Sequence, residues 1–578
     1  MNSQKLIGLL FLALCLPLTN STLGAIQPIQ MKMGAPTETP VALPTQTAPE
    51  RPMHFSMSDP SLQADYSYRS FLQVPLGMAW GPDNQLYVAD YLGRHIVRIT
   101  PKGEMSELNL ISNPWKDDGP RTLAFSPDGT LYVNDHSHIY RIDQSNQAQP
   151  ITGVSGNPIG GIAISPDGEL FYTDRSSSGA VRHWNKNGTS NTIVENLPFV
   201  ENMVFAPDGA LYVSERNMGK VYKVDVKTHA MSLFYSMEIS DSIYLAVDHE
   251  GDIWIRGINF LIQLSPKGQI KPFLVDGKSN YGDPKFYMIA TSSGLAFDKE
   301  GGLWLGSYDS RLIKFSPTKP GAKDPAFKSK TISTGLVISS MAVSQQGDIY
   351  ATDSQRHEVI RIKSGKIESL GNFGCAGNAA IALDRNDKIY VGLPCGKIMT
   401  MDQKGHFSNY ASLTTDRMTF GADGGLYAIV SGSNNQKSLV RITGKNKYIK
   451  LTESIAGLPL GAGEVHIASW KEGLYIFVES GRYLFRTDFE GKGELINIQP
   501  TMAGAGPAPI TATSDGRVFI IPHGPYDLLF IDAEGSSKVY ASGFYGDPWA
   551  LAVSPDGQWL YVAECGAIDR LEIKKLAQ

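Results

Sequence analysis

Six acidic residues recur at one place in a repeated phrase: Asp90, Asp135, Asp174, Glu215, Asp353 and Glu564, each three positions after an aromatic residue. Four of them come from consecutive copies. Gathered on one face, they could hold a hard cation through oxygen ligands. A carboxylate at the head of a turn can instead accept the N–H groups of that turn, as Asp does in an Asx-turn, and this is the preferred reading. Histidine is the next candidate chemistry. His136 and His138 flank Ser137 beside Asp135, a spacing that suits Zn²⁺ when it lies on a strand. Here it lies in a turn, and the corresponding turn of the first copy carries His95, so all three are expected to be surface turn residues. His466 and His523 could act as general bases. His466 lies within a first strand and can equally be packed. His523, in "IPHGPYD", follows a second strand and is the candidate catalytic residue. The sequence contains no G-x-S-x-G, Walker A, H-E-x-x-H or C-x-x-C-H motif, which removes support for serine-hydrolase, P-loop, zincin and haem chemistry.

The elements that must position these residues are written as one unit repeated along the chain, seen in "LAFSPDGTLYVNDHSHIYRI" (123–142) and again in "LAVSPDGQWLYVAE" (551–564). "LAF" and "LYV" have the length and pattern of strands. "PDG" joins a fixed φ to a glycine free to take positive φ, which turns one strand back on the next. "HIYRI" supplies a third, alternating strand, and a more polar stretch such as "EMSEL" (104–108) supplies a fourth. Four short antiparallel strands make one blade of a β-propeller. The aromatic in the second strand recurs as Tyr87, Tyr132, Phe171, Tyr212, Trp254, Trp304, Tyr350, Tyr390, Tyr427, Tyr475, Phe519 and Tyr561, about 43 residues apart, a propeller-like period.

Twelve copies exceed the usual ring of about four to eight blades. "SPTKPGAKDPAFKSK" (316–330) is the most linker-like stretch between copies, and it divides them six and six. The expected fold is all-β, two tandem six-bladed β-propellers of four-stranded antiparallel blades, each closed by its N-terminal strand. The closing strands would be "YRSFLQV" (68–74) and "KTIST" (330–334), because an unfilled last blade leaves an open edge. The boundaries follow: a signal peptide over 1–25, a Pro/Thr-rich leader over 26–65, the first propeller over 66–317, a linker over 318–329 and the second propeller over 330–578. Cys375 and Cys395 bracket the first hairpin of the eighth copy almost symmetrically, so a disulfide between them is expected in an oxidising compartment. Cys565 would be a leftover thiol. The longest interval between copies carries Tyr281, Phe286 and Tyr287 in a polar loop, the expected ligand-binding loop.

"LYVADYLGRHIVRITPKG" (86–103) and "LYVSERNMGKVYKVD" (211–225) resemble NHL repeats, and the "SPDG-LYV-D" phrase is similar to the group containing SMP-30/gluconolactonase enzymes and streptogramin B lyases. The resemblance covers about residues 68–578 and implies the propeller fold. It also implies a divalent cation, Ca²⁺ or Mg²⁺, held by Glu, Asn and Asp residues just before first strands. By position, the first half offers Glu201 and Asn202, with Asp241 a looser match. The second half offers Asn378, Asp416, Glu464 and Asp547, drawn from four blades. Neither half carries the full set in register.

Composition bounds the rest. The 578 residues are 42% hydrophobic and 19% charged, with a net charge of −5 and no Lys/Arg run, so nucleic acid is not an expected partner. Lys5 followed by "LIGLLFLALCLPL" (6–18) reads as an export signal too short to span a bilayer comfortably, and no later stretch is apolar enough to cross, so a periplasmic or secreted protein without a membrane span is expected. The leading expectation for function is an exported tandem propeller that binds a small molecule or protein through its funnel faces without catalysis. The alternative is a metal-dependent hydrolase or lyase, lactonase- or streptogramin-lyase-like, with its site in the second propeller.

Overall fold

Antiparallel strands account for nearly all regular structure in the computed structural model, which describes residues 56–57, 62–69 and most of 72–573. The signal and leader segments, the 280–293 loop, 319–325, 499–508, 523–526, 545–547 and several shorter pieces lie outside the described residues. The chain divides into two compact units, Ser70–Gly335 and Leu336–Gln578, the second also taking the N-terminal segment through Arg69.

Each repeated phrase folds as written. In the first copy, Pro75–Trp80, Leu86–Asp90, His95–Ile99 and Met105–Glu107 pair in chain order as a four-stranded antiparallel sheet, of the kind that forms a propeller blade. The twelve repeating aromatics all fall in second strands. The turns behave as their composition requires. Gly129, Gly168 and Gly209 of three successive "PDG" turns each take φ +84, a region that costs glycine nothing.

Within the Ser70–Gly335 unit, the first strand of each sheet packs against the first strand of the next, and Leu295–Phe297 of the sixth packs against Pro75–Trp80 of the first. Apolar side chains fill the seam. Met78, Leu86 and Val88 pack with Ala296, Trp304 and Leu312, and the Trp80 and Trp304 rings meet edge-on at 5.8 Å. The Leu336–Gln578 unit repeats the arrangement, with Ile338, Met341 and Ala351 packed against Ala550, Tyr561 and Ile568.

Polar side chains on the two innermost strands stitch neighbouring sheets together. Asn134 Nδ2, Thr173 Oγ1 and Ser214 Oγ donate to the carbonyls of Gly160, Glu201 and Ile243 in the following sheet, at 3.2, 3.0 and 2.9 Å. Each donor lies two positions after the repeating aromatic. In the reverse sense, Thr122 Oγ1 accepts from Ile162 N and Asn202 Oδ1 from Leu245 N. Thr352 and Ser340 do the same in the second unit, toward Ala379 O and Ile381 N. Asn134, Thr173, Ser214 and Thr352 are fully buried, so each of their bonds left unmade would cost the desolvation of both partners.

The expected closing strands are reassigned. Ala64–Arg69 pairs with Ala567–Glu572 in the twelfth sheet, Ala64 opposite Leu571 and Arg69 opposite Ala567, and so completes the second unit rather than the first. Residues 326–333, expected to span a linker and the second ring's first strand, form the fourth strand of the sixth sheet, with Ile313 opposite Thr331, and Leu274–Val275 pairs in parallel with its other side. The physical reason is economy of edges. A short connection gives the sixth sheet its own fourth strand at small entropic cost. Among the described residues the twelfth sheet has three strands of its own, and its edge takes the Ala64–Arg69 strand. Ser56–Met57 adds a further short strand to Ser537–Ser542.

A chain beginning at residue 70 is therefore expected to lose stability in the Leu336–Gln578 unit while the Ser70–Gly335 unit melts as before, a split visible by calorimetry with limited proteolysis assigning each transition. Thr173→Val, which keeps shape but removes the hydroxyl between Gly161 N and Glu201 O, should cost about 1–3 kcal/mol in urea unfolding.

Candidate functional site

Asp90, Asp135, Asp174 and Asp353 accept N–H groups of the turns that follow them, and Glu215 bonds a third-strand side chain instead. Asp90 is fully buried and accepts from Gln73 N, Val74 N and Gly93 N, and it meets His95 Nε2 at 2.8 Å. Asp135 accepts from Ser137 N and His138 N. Asp174 accepts Arg182 through Nε and Nη2 at 3.0 and 2.8 Å, and Glu215 accepts from Tyr222 Oη. Of the turn histidines, His138 is exposed as expected, but His95 is buried and His136 is half-buried with its Nδ1 inside.

In the second unit, Asp416 and Glu464 stand on adjacent sheets, in Thr415–Phe420 and just before Val465–Trp470. Each already has a cationic partner. Lys437 Nζ donates to Asp416 Oδ2 at 2.6 Å, with Ser431 Oγ on the same oxygen. Arg417 Nη2 reaches Glu464 Oε2 at 3.4 Å, and Arg417 Nε donates to His466 Nδ1. His466 is buried, and burial followed by the Arg417 charge pushes its pKa well below the ordinary value, so its ring is neutral. Asn378 precedes the Ala380–Leu383 strand and keeps a buried Oδ1 with no hydrogen-bond partner among the described residues. Asp547 and His523 lie outside the described residues, as do Tyr281, Phe286 and Tyr287. Cys375 and Cys395 form a disulfide with Cα atoms 6.2 Å apart.

A denser cluster of charged side chains lies in the Ser70–Gly335 unit. Arg121 precedes the Thr122–Phe125 strand, and Glu201 lies in Val200–Phe205. His136, Arg175 and Arg216 each follow a second strand, one position after the turn acids Asp135, Asp174 and Glu215. These five side chains come from three consecutive sheets. Arg175 Nη2 stands 3.3 Å from Glu201 Oε2, both side chains about one-tenth exposed. Burial alone would raise the Glu201 pKa, but the guanidiniums of Arg175, Arg216 and Arg121 outweigh it and hold the carboxyl below its usual range. Burial, then Arg121, brings His136 down to about 4, so it is neutral near pH 7. Arg175 is lowered by burial and by the two neighbouring arginines, against the pull of Glu201. Arg121 lies over the Tyr91 ring at 5.5 Å. Arg216 Nε and His136 Nδ1 are buried without a hydrogen-bond partner among the described residues.

This cluster is a poor host for a divalent cation. Glu201 faces three guanidiniums, and Asn202 Oδ1 is used by Leu245 N. Among the described residues of either unit, no three His, Cys, Asp or Glu side chains gather in a way that could hold a metal ion. The arginines carried a sequence signal all the same. The residue after the turn acid reads Tyr91, His136, Arg175, Arg216 in the first four copies, so one slot of the repeat supplies one lining residue per sheet.

The sheets, each of four antiparallel strands in the repeated phrase, define a β-propeller protein. Residues 74–334 match the SMP-30/Gluconolactonase/LRE-like region family, in agreement with the resemblance read from the sequence. A gluconolactonase of Zymomonas mobilis is 25% identical over 160 residues, covering 23% of this chain and 45% of the relative, so the chain spans less than half of that curated relative. Among solved structures, a gluconolactonase from Xanthomonas campestris is 19% identical over 43% of this chain and 87% of its own, with TM-score 0.35. Virginiamycin B lyase from Staphylococcus aureus is 14% identical over 58% of this chain and 97% of its own, with TM-score 0.30. No helix among the described residues is long and apolar enough to cross a membrane.

The depressed imidazoles set a pH dependence. An unfolded His takes up a proton near 6.5, whereas His136 resists until about 4, so the unfolded state gains protons first as the pH drops. The urea midpoint is expected to fall between about pH 6.5 and 4, and His136→Gln should flatten that decline.

Proposed function

We propose that the chain is an exported pair of six-bladed β-propellers, formed by residues 75–333 and by 336–573 with Ala64–Arg69, and that it binds a ligand at the centre of the first without transforming it. The ring reading is supported by six second-strand aromatics in each unit and by first-strand packing that runs from each sheet to the next and from the last to the first. Export rests on the 1–25 segment as read from the sequence.

One observation carries the binding role: Arg121, His136, Arg175, Glu201 and Arg216 form a single buried polar cluster with hydrogen-bonding capacity left over. Such a cluster is costly unless something completes it. The family resemblance favours a second reading, a metal-dependent hydrolase or lyase acting through Asn378, Asp416, Glu464 and Asp547. Two of these four carboxylates and amides already neutralise Lys437 and Arg417, and a divalent ion would have to displace both cations.

Calorimetric titration with Ca²⁺, Mg²⁺, Mn²⁺ and Zn²⁺, beside an assay of δ-gluconolactone hydrolysis, decides between the readings. The expected outcome is no saturable metal uptake and no rate above spontaneous hydrolysis. One metal per chain, with turnover that depends on it and disappears in Asp416→Ala or Glu464→Ala, would establish the hydrolase instead.

A further inference from the structure

We propose that the outer edge of the ninth sheet takes, as an added strand, an extended acidic segment of another protein. Lys447–Thr452 is the last strand of that sheet, which pairs in chain order from Thr415–Phe420 through Leu426–Ser431 and Lys437–Gly444. Among the described residues no strand pairs with its outer side, which leaves a row of ladder groups for water or for another strand. Residues 445–450 are exposed without a break, and Tyr448 and Ile449 are 51% and 54% exposed. Lys450 Nζ meets Glu453, whereas Lys445 and Lys447 have no ionic partner among the described residues. Lysines alone are the ordinary guard of an edge against unwanted pairing. A guard gains nothing from an exposed tyrosine beside an exposed isoleucine, which is surface for a partner to cover.

The chain already uses this mode at other outer edges. Ser56–Met57 adds a strand to Ser537–Ser542, Met57 opposite Ala541, on an edge that reads "SKVYAS" with Val539 exposed. Leu274–Val275 joins the outer side of Ala326–Ser333 in parallel. Geometry and charge choose the occupant. Successive residues of a strand point to opposite faces, so a flat surface such as a bilayer can cover Tyr448 or Ile449 but not both. A strand laid along the edge reaches both, because its own side chains alternate in step. A second copy of the same edge would bring the lysines of both copies together, like charges across a ladder. The 33–52 stretch of this chain carries Pro36, Pro40, Pro44, Pro49 and Pro52, and proline cannot donate to a ladder. A segment of a different protein fits, with carboxylates to meet Lys445 and Lys447 and β-branched or aromatic residues to pack beside Tyr448 and Ile449.

The test is a fluorescence-anisotropy titration of the full chain against a short labelled peptide that alternates glutamate with valine. Two control peptides accompany it. One carries lysine in place of glutamate, and one keeps the glutamates but is methylated at every backbone nitrogen, which blocks the ladder. The expected result is one saturable site per chain for the acidic peptide, about tenfold or more weaker binding of the methylated peptide, and none of the basic one. Bound acidic peptide should also slow hydrogen exchange in Lys447–Thr452. Lys445→Glu combined with Lys447→Glu should abolish binding of the acidic peptide and admit the basic one, an inversion that a folding defect does not produce. Tyr448→Ser should weaken the acidic peptide about threefold to fivefold. Absence of binding up to about 1 mM acidic peptide overturns the proposal. Equal binding of the methylated peptide overturns the added strand, and binding unchanged in the double-glutamate variant overturns the edge as the site. Sedimentation with phosphatidylglycerol vesicles, lost in that variant and without any peptide binding, would assign the edge to a lipid surface instead.

Discussion

The bond from an inner-strand side chain to the backbone of the following sheet is the constraint on which the rest depends. Sheets packed only by apolar faces could slide or rotate, since hydrophobic contact is not directional. The hydroxyls and amides of Asn134, Thr173, Ser214 and Thr352 remove that freedom, because each needs one particular carbonyl at hydrogen-bond distance. Close approach is the companion condition. A Cβ on Gly160 would stand 2.6 Å from Glu201 O, and one on Gly294 would stand 2.3 Å from Leu76 O. The innermost strands thus come as near as backbones without side chains allow, at the seams where the polar bonds are made.

That registration places the charged groups. Thr173 and Glu201 are joined through the Glu201 carbonyl, and Arg175 lies two residues beyond Thr173. The same bond that fixes the third sheet against the fourth therefore fixes the distance between guanidinium and carboxylate. The chemistry differs from the cation-holding arrangement that the family resemblance implies. Glu201 lies at the start of a first strand, but the slot after the turn acid holds Arg175 and Arg216 in the third and fourth copies, and their guanidiniums hold its carboxyl below the usual range.

The N-terminal strand shows how edge chemistry can override sequence proximity. Ala64–Arg69 lies next in the chain to the first unit, yet it pairs with Ala567–Glu572 at the far end of the sequence. An exposed edge is an unsatisfied row of N–H and C=O groups, and the twelfth sheet has three strands of its own where the repeat elsewhere supplies four. As a result, the Leu336–Gln578 unit depends on residues encoded before the Ser70–Gly335 unit.

Strand length, turn position and the twelve-fold repeat were legible in the sequence because each is decided locally, by period-two patterning and by the φ preferences of Pro and Gly. The turn role of Asp90 and Asp135 was legible for the same reason, since their partners lie within a few residues or at the neighbouring strand end. The facing of Cys375 and Cys395 followed from hairpin symmetry. Three outcomes belonged to the tertiary structure alone: which sheet the spare strand completes, that Asp416 and Glu464 meet Lys437 and Arg417, and that Arg121, Arg175 and Arg216 converge on Glu201. Asp416 and Lys437 meet across the strands of one sheet, whereas the Arg417–Glu464 contact and the arginine cluster depend on how one sheet is turned against the next, which is set by packing and hydrogen bonds between residues some 40 apart, about one repeat, and which local preferences do not encode.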